Sequence, residues 1–259
     1  MQIMKQLNRI FFVFILSLIS LNAMAQQDKD RKWNISFSIG QAAPVGAFSK
    51  LIPEKAVPGL SSSYRPAGFN FHKEGNGAAK KGGFRSLELS YRFNKHWLAS
   101  VIANRTRNAV NTGPTKDYIN SVFKLDFYAV THNDYLVNSV AIGMGYQFQQ
   151  KKLTFRIIPF LGDASISSPE YGFLTEKEYY EGQYYFDVPV KQNAILLGFN
   201  SSINYQLGSR LYLGLKTGFQ SADFNYAVRK YAPGLKALLH NDVINYRLVE
   251  TGIVLGIKL

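Results

Sequence analysis

Between residues 134 and 163 the chain reads DYLVNSVAIGMGYQFQQKKLTFRIIPFLGD. Leu136, Val140, Ile142, Met144, Tyr146 and Phe148 share one parity, and Val137, Ser139, Ala141, Gly143, Gly145 and Gln147 share the other. Successive side chains of a strand point to opposite faces, so this pattern predicts a strand with one broad apolar face and one small or polar face. A second strand follows from about residue 153. The same period recurs along the chain and predicts six more strands. They are WNISFSIG (33–40), SLELSYRF (86–93), WLASVIANRT (97–106), AILLGFNSSINYQL (194–207), LYLGLKTGF (211–219) and YRLVETGIVLGIKL (246–259). The parity is weakest in 97–106.

The connections sort by length. Asn94–His96, Gln149–Lys152 and Gly208–Arg210 are tight, whereas 42–83, 107–134, 165–192 and 220–245 are long. A soluble sandwich has no reason to place all short turns at one end. A membrane barrel does, with turns toward the periplasm and long loops outside. The pattern predicts an all-β fold, an eight-stranded antiparallel up-and-down transmembrane β-barrel over residues 33–259. Promoting VFKLDFYAV (122–130) and YYFDVPV (184–190) to spanning strands would give ten, but would send long loops to the turn end. The eight-strand reading instead makes 122–130 an extension above the membrane.

The apolar parity then faces lipid. Trp33, Phe93, Trp97, Tyr146, Phe148 and Tyr205 fall near strand ends, where interfacial aromatic girdles belong. Glu88, Arg92, Arg156, Lys216, Glu250 and Lys258 fall on the inner parity and form a candidate lumen charge network. On the lipid face a midplane Arg or Lys would cost about 2–4 kcal/mol. An eight-stranded interior is just wide enough for side chains to fill. These charges therefore read as structural pairs, Lys216 with Glu250 on neighbouring strands, rather than as a conducting path.

The amino terminus adds a location. Lys5 and Arg9 precede the apolar run IFFVFILSLISLN (10–22), which ends at Ala23-Met24-Ala25. This predicts a signal peptide over 1–25, cleavage near Ala25/Gln26, a periplasmic tail over 26–32 and an exported, outer-membrane protein. The run is short of the roughly 20 residues a spanning helix needs. Cysteine is absent, which excludes disulfides and a cysteine lipid anchor. The formal net charge of +13 falls to +11 without Lys5 and Arg9. Nothing in the pattern suggests nucleic acid; the charge reads as keeping the loops soluble or, as its functional use, as attraction to lipid and anionic lipopolysaccharide.

The loops hold the remaining chemistry. PEYGFLTEKEYYEGQYYFDVP (169–189) has a net charge of −4 and five tyrosines between 171 and 185, while 42–83 has a net charge of +4. The two could pack on each other over the barrel, or offer a recognition surface to an extracellular protein or glycan ligand. KEGNGAAKKGG (73–83) reads as a flexible segment rather than a phosphate loop, since no strand-to-helix context surrounds it. His132, with Asp134 and Ser165 or Ser167, is the one histidine set near the outer rim with an acid beside it, but nothing aligns it as a triad. No catalytic residue, cofactor or metal site is assigned.

The exported chain, the eight alternating strands and Gly40-x-x-x-Pro44-Val45-Gly46-x-Phe48 leaving the first strand resemble the small outer-membrane protein β-barrel domain family, which includes OmpA- and OmpX-type barrels. The resemblance implies insertion by the barrel-assembly machinery, although Leu259 stands where an aromatic last residue is expected. It implies a non-enzymatic structural or surface-interaction role through the outer loops. A narrow porin-like channel and a lipid A-modifying enzyme are the alternatives.

Overall fold

The computed structural model describes residues 31–57, 72–124, 126–175, 185–187, 190–229 and 239–259. The expected signal peptide and most of the expected tail, residues 1–30, lie outside them, as do Glu176, Glu178 and Glu181 of the acidic loop. The strands are β1 (Trp33–Pro44), β2 (Gly82–Arg92), β3 (Trp97–Asn108), β4 (Phe127–His132), β5 (Tyr135–Gln150), β6 (Leu153–Ser167), β7 (Glu170–Thr175), β8 (Tyr185–Asp187), β9 (Lys191–Gln206), β10 (Leu211–Arg229) and β11 (Leu239–Lys258). Eight of them, β1, β2, β3, β5, β6, β9, β10 and β11, close into an antiparallel barrel in which each pairs with its neighbours in the meander and β1 meets β11. Closure leaves no free edge, so strand hydrogen bonds are satisfied within the ring. One gap follows from chemistry. Pro159 of β6 lacks a donor, and the β5–β6 ladder skips from Gly143↔Phe160 to Tyr146↔Ile157.

The barrel is inside out relative to a soluble protein. Ile195, Ile142 and Leu215 are 70%, 66% and 65% exposed on the outer parity. Serines and amides such as Ser36, Ser100, Asn104, Asn200 and Gln220 are buried on the inner one. A contiguous apolar exterior of this extent needs a non-aqueous partner. No helix among the described residues is long and apolar enough to cross a membrane. At the short-turn end the belt carries the girdle, with Trp33 against Tyr91 at 4.8 Å and Trp97 against Tyr146 at 5.6 Å. At the long-loop end the same outward positions become Arg85, Arg105, Asn138, Asp163 and Asn193, all exposed.

Strand β3 had weak parity for a visible reason. Leu98 and Ile102 turn inward and are buried, while Val101 faces out, so apolar residues occupy both faces. The glycines of the inner parity make room for large neighbours. A Cβ at Gly256 would collide with the Tyr212 ring, and one at Gly198 would press on Phe160.

Three expectations about the loops are corrected. Segment 122–130 stays out of the barrel ring, as expected, but is not one extended stretch: Val122 and Phe123 end helix α1 (Gly113–Phe123), and β4 pairs with β7 in a separate three-stranded sheet with β8. Residues 220–245 are not simply a loop, because β10 and β11 stay paired out to Arg229↔Leu239. The 73–83 segment is held in place among the described residues. Asp242 accepts the backbone N–H of Lys73 at 2.7 Å and of Glu74 at 2.9 Å, and Asn245 Oδ1 accepts that of Gly75 at 3.1 Å. Those three N–H groups are satisfied by one strand end, which glycine content alone does not reveal. Gly75, with φ of +68°, takes a left-handed turn there.

Candidate functional site: the lumen and its two mouths

The inner parity brings two ion pairs into the lumen. Glu88 meets Arg156 at 2.5 Å and Lys216 meets Glu250 at 3.5 Å. Glu250 has no exposure and also accepts Asn104 Nδ2 at 2.6 Å and Gln220 Nε2 at 2.9 Å. Arg156 reaches Ser90 Oγ at 3.0 Å with the same Nη2 that meets Glu88. A buried carboxylate tolerates desolvation only when a cation and further donors satisfy it, and both acids are arranged that way. Lys216 also lies 5.1 Å from the Phe84 ring centre. Arg92 and Lys258 do not join these pairs. They sit at the short-turn mouth, where Arg92 Nη2 donates to the Arg31 carbonyl at 3.1 Å and Lys258 Nζ to Gln206 Oε1 at 2.7 Å. The six charges thus divide into a packed core of four and a mouth pair.

Asn104 and Gln220 were legible as inner-parity residues but were overlooked because they carry no charge. The outer mouth was less legible. The chain leaving β1 makes a 3-10 turn (Gly46–Phe48) and a single helical turn (Pro53–Ala56), and places Phe48 between Tyr135 and Tyr246, each 5.1 Å away ring to ring. Gly77, Ala78 and Ala79 donate to the carbonyls of Ala47, Lys50 and Phe48. Phe48 is fully buried. The described residues of segment 42–83 therefore cap the barrel, with Phe48 as the plug. No periodicity marks Phe48 in the sequence.

Among the described residues a narrow vestibule, with about 30 Å³ of free space, lies at the short-turn mouth and is lined by Arg31, Arg92, Arg156 and Lys258 with Tyr212 and amides such as Gln147 and Gln206.

The candidate catalytic set is not assembled into a triad. Asp134 accepts Arg107 Nε at 2.6 Å. Ser165 lies opposite Asn138 at an exposed, outward position. His132 pairs in register with Glu170 on the separate sheet, and its side chain lies outside the described residues. Among the described residues no group of three histidine or acidic side chains could hold a metal.

No family model matches the chain, and no curated protein does. Solved structures are similar at low identity. Neisserial surface protein A is 13% identical, with 88% of this chain and 97% of that one covered and a TM-score of 0.47. Ail, the attachment invasion locus protein of Yersinia pestis, is 11% identical over 87% and 97%, at 0.39. The outer membrane protein OprG of Pseudomonas aeruginosa is 10% identical over 87% and 96%, at 0.41. The barrel assignment rests on the closed eight-strand ring itself.

Proposed function

We propose that this chain is an exported, outer-membrane barrel without catalytic activity, whose role is structural and in surface contact through its outer loops. The observation that carries this reading is the combination of an apolar belt outside with a packed, capped interior. The filled lumen weighs against a conducting path, and the engagement of Asp134 by Arg107 weighs against lipid A editing.

The outer rim supports a lipopolysaccharide contact. Arg85 and Arg105 face each other directly across β2–β3, and Arg107 lies two residues further on the same outward face. Like charges placed opposite each other are unfavourable without an anion to share. Just above the belt, lipid phosphates would supply one.

Fractionation with a gel of unboiled and boiled protein tests the membrane reading. A detergent-requiring outer-membrane band whose mobility shifts on boiling is expected. A soluble periplasmic band would overturn it. Planar-bilayer recording should give no steady conductance; unitary currents would favour the channel.

A further inference from the structure

We infer that an unbroken polar band on the outward face of β3, β2, β1, β11, β10 and β9 seats one outer-leaflet lipid that carries phosphate together with neutral amide or hydroxyl groups, the chemistry of the lipopolysaccharide anchor. This seat rests on the membrane and lipopolysaccharide readings above and extends them into the apolar belt through four uncharged side chains.

Gln41 of β1 faces Thr251 of β11, Thr251 faces Thr217 of β10, and Thr217 faces Ser201 of β9, each directly across the ladder. Gln41, Thr217 and Thr251 are exposed on the outward parity, and Ser201 is half-buried there. Apolar side chains flank this row on both sides, Ile253 and Leu215 toward the short turns and Val249 and Phe219 toward the long loops. The far side of the ring has no such row. On the outward parity, β5 from Val140 to Met144 and β6 from Phe155 to Leu161 carry no polar side chain.

The second observation is that these groups are unmatched. Among the described residues none of the four side chains makes a hydrogen bond, and Arg85 and Arg105 make neither a hydrogen bond nor an ion pair. Arg107, by contrast, is held by Asp134. Hydrocarbon offers a hydroxyl or amide no partner, so each is costly unless a polar group arrives from outside the chain. Gln41 alone brings two donors and an acceptor.

The row joins the rim. Arg85 lies opposite Ile39, which makes it the diagonal neighbour of Gln41, and it faces Arg105 on its other side. Strands of such barrels tilt by about 35–45°, so a row perpendicular to them slopes through the bilayer. Gln41 is farther from the short-turn end of its strand than Ser201 is from that end of its own, and the row therefore descends from the rim into the belt. A shallow groove with about 590 Å³ of free space follows it, because Ser201, Thr217 and Thr251 are shorter than Ile203, Leu215 and Ile253 beside them. A phosphate shared by two guanidiniums at the top, amide and hydroxyl groups along the row and acyl chains on the flanking apolar side chains match this order. A flexible lipid follows a band that curves around a narrow ring, whereas a rigid second barrel touches only part of it.

The test is native mass spectrometry of the folded full chain in an uncharged detergent, titrated with bisphosphorylated lipid A and, separately, with the same lipid stripped of phosphate. One lipid A bound saturably per chain is expected, with the stripped form weaker by about tenfold or more. Arg85→Gln with Arg105→Gln should erase the difference between the two forms. Gln41→Leu with Thr217→Val and Thr251→Val should weaken both forms by about threefold or more while the boiling-dependent band shift is kept, because these changes only make the belt more apolar. A row variant that binds as the wild type does, beside an impaired arginine variant, would leave the rim contact standing and overturn the seat. Absence of saturable binding to the wild type would overturn both. A lipid-free dimer that disappears in the row variant would assign the row to a second copy and overturn the seat. Fractionation reports on the membrane reading independently.

Discussion

At the long-loop end the barrel interior is closed by rings, with Phe48 wedged between Tyr135 and Tyr246 and Phe224 meeting Tyr246 edge to face at 6.2 Å. At the short-turn end the described residues that line it carry guanidinium, ammonium and amide groups around a narrow vestibule. The exterior reverses the assignment. Aromatic residues ring the short-turn end, and arginines and carboxamides ring the other. One end therefore seals itself by burying apolar surface inside a barrel whose outside there is charged. The other leaves polar groups inside and presents aromatic rings outside. The lesson concerns which interior a narrow barrel can afford. Where a loop folds back, apolar packing closes the lumen. Where tight turns join the strands, the described residues that line the lumen are charged and amide side chains.

Breaking the ion pair between those ends should have the largest effect. Glu250→Ala leaves Lys216 buried without its acid and strips Asn104 and Gln220 of an acceptor, which should cost about 3–5 kcal/mol. Unfolding in urea, followed by the loss of the boiling-dependent band shift, measures it. Adding Lys216→Met should recover part of that loss, and a double variant worse than the single would show that the pair is not coupled.

Phe48→Ala should remove about 3–5 kcal/mol of packing, confined to the cap. Hydrogen exchange should quicken at the Gly77, Ala78 and Ala79 amides, which are bonded to the Ala47, Lys50 and Phe48 carbonyls. Barrel amides such as those of β9 should keep their protection. Uniform loss across the ring would mean that the cap and barrel are one cooperative unit.

The lipid face offers a smaller, graded contrast. Ile142→Arg, in the belt, should cost about 2–4 kcal/mol in bilayers, whereas Asn138→Arg, above its outer edge, should cost about 0–1 kcal/mol. Refolding equilibria in lipid vesicles separate the two, and equal costs would misplace the edge of the belt.

The smallest effect is an acid dependence beyond the belt. The Arg247 guanidinium, through its hydrogen bond, holds the Asp223 carboxyl below the usual carboxylate range. A lowered folded-state value contributes stability that is present above the unfolded value of roughly 3.9 and is lost as pH falls through the folded one. The pair is substantially exposed, so its contribution is small. Asp223→Asn should flatten the dependence of the β10–β11 extension on pH below about 4, read by amide exchange across 222–229. An unchanged profile would assign that dependence elsewhere.

The strand pattern was legible because a strand exposes its period directly. Leu136 to Phe148 alternate with small residues, and the short turns place successive strands side by side. Glu88, Arg156, Lys216 and Glu250 could be put inside by parity alone. Their division into two separate pairs could not, since Glu88 and Arg156 are 68 positions apart and on strands that do not neighbour each other. The 122–130 stretch misled because its apolar run looks the same in a helix end and in a strand, and only packing chooses between them.

The sequence by itself determined the number of spanning strands, which face the residues take in every spanning strand but β3, and which end holds the short turns. These are local consequences of a two-residue period and of chain length between turns. Only the tertiary structure decided that Phe48 plugs the outer mouth, that Asp242 anchors the glycine-containing turn, and that Arg31, Arg92, Arg156 and Lys258 converge on one cavity. Those contacts join residues far apart in the chain, and their partners are chosen when the ring closes and its shear sets which side chains share a level.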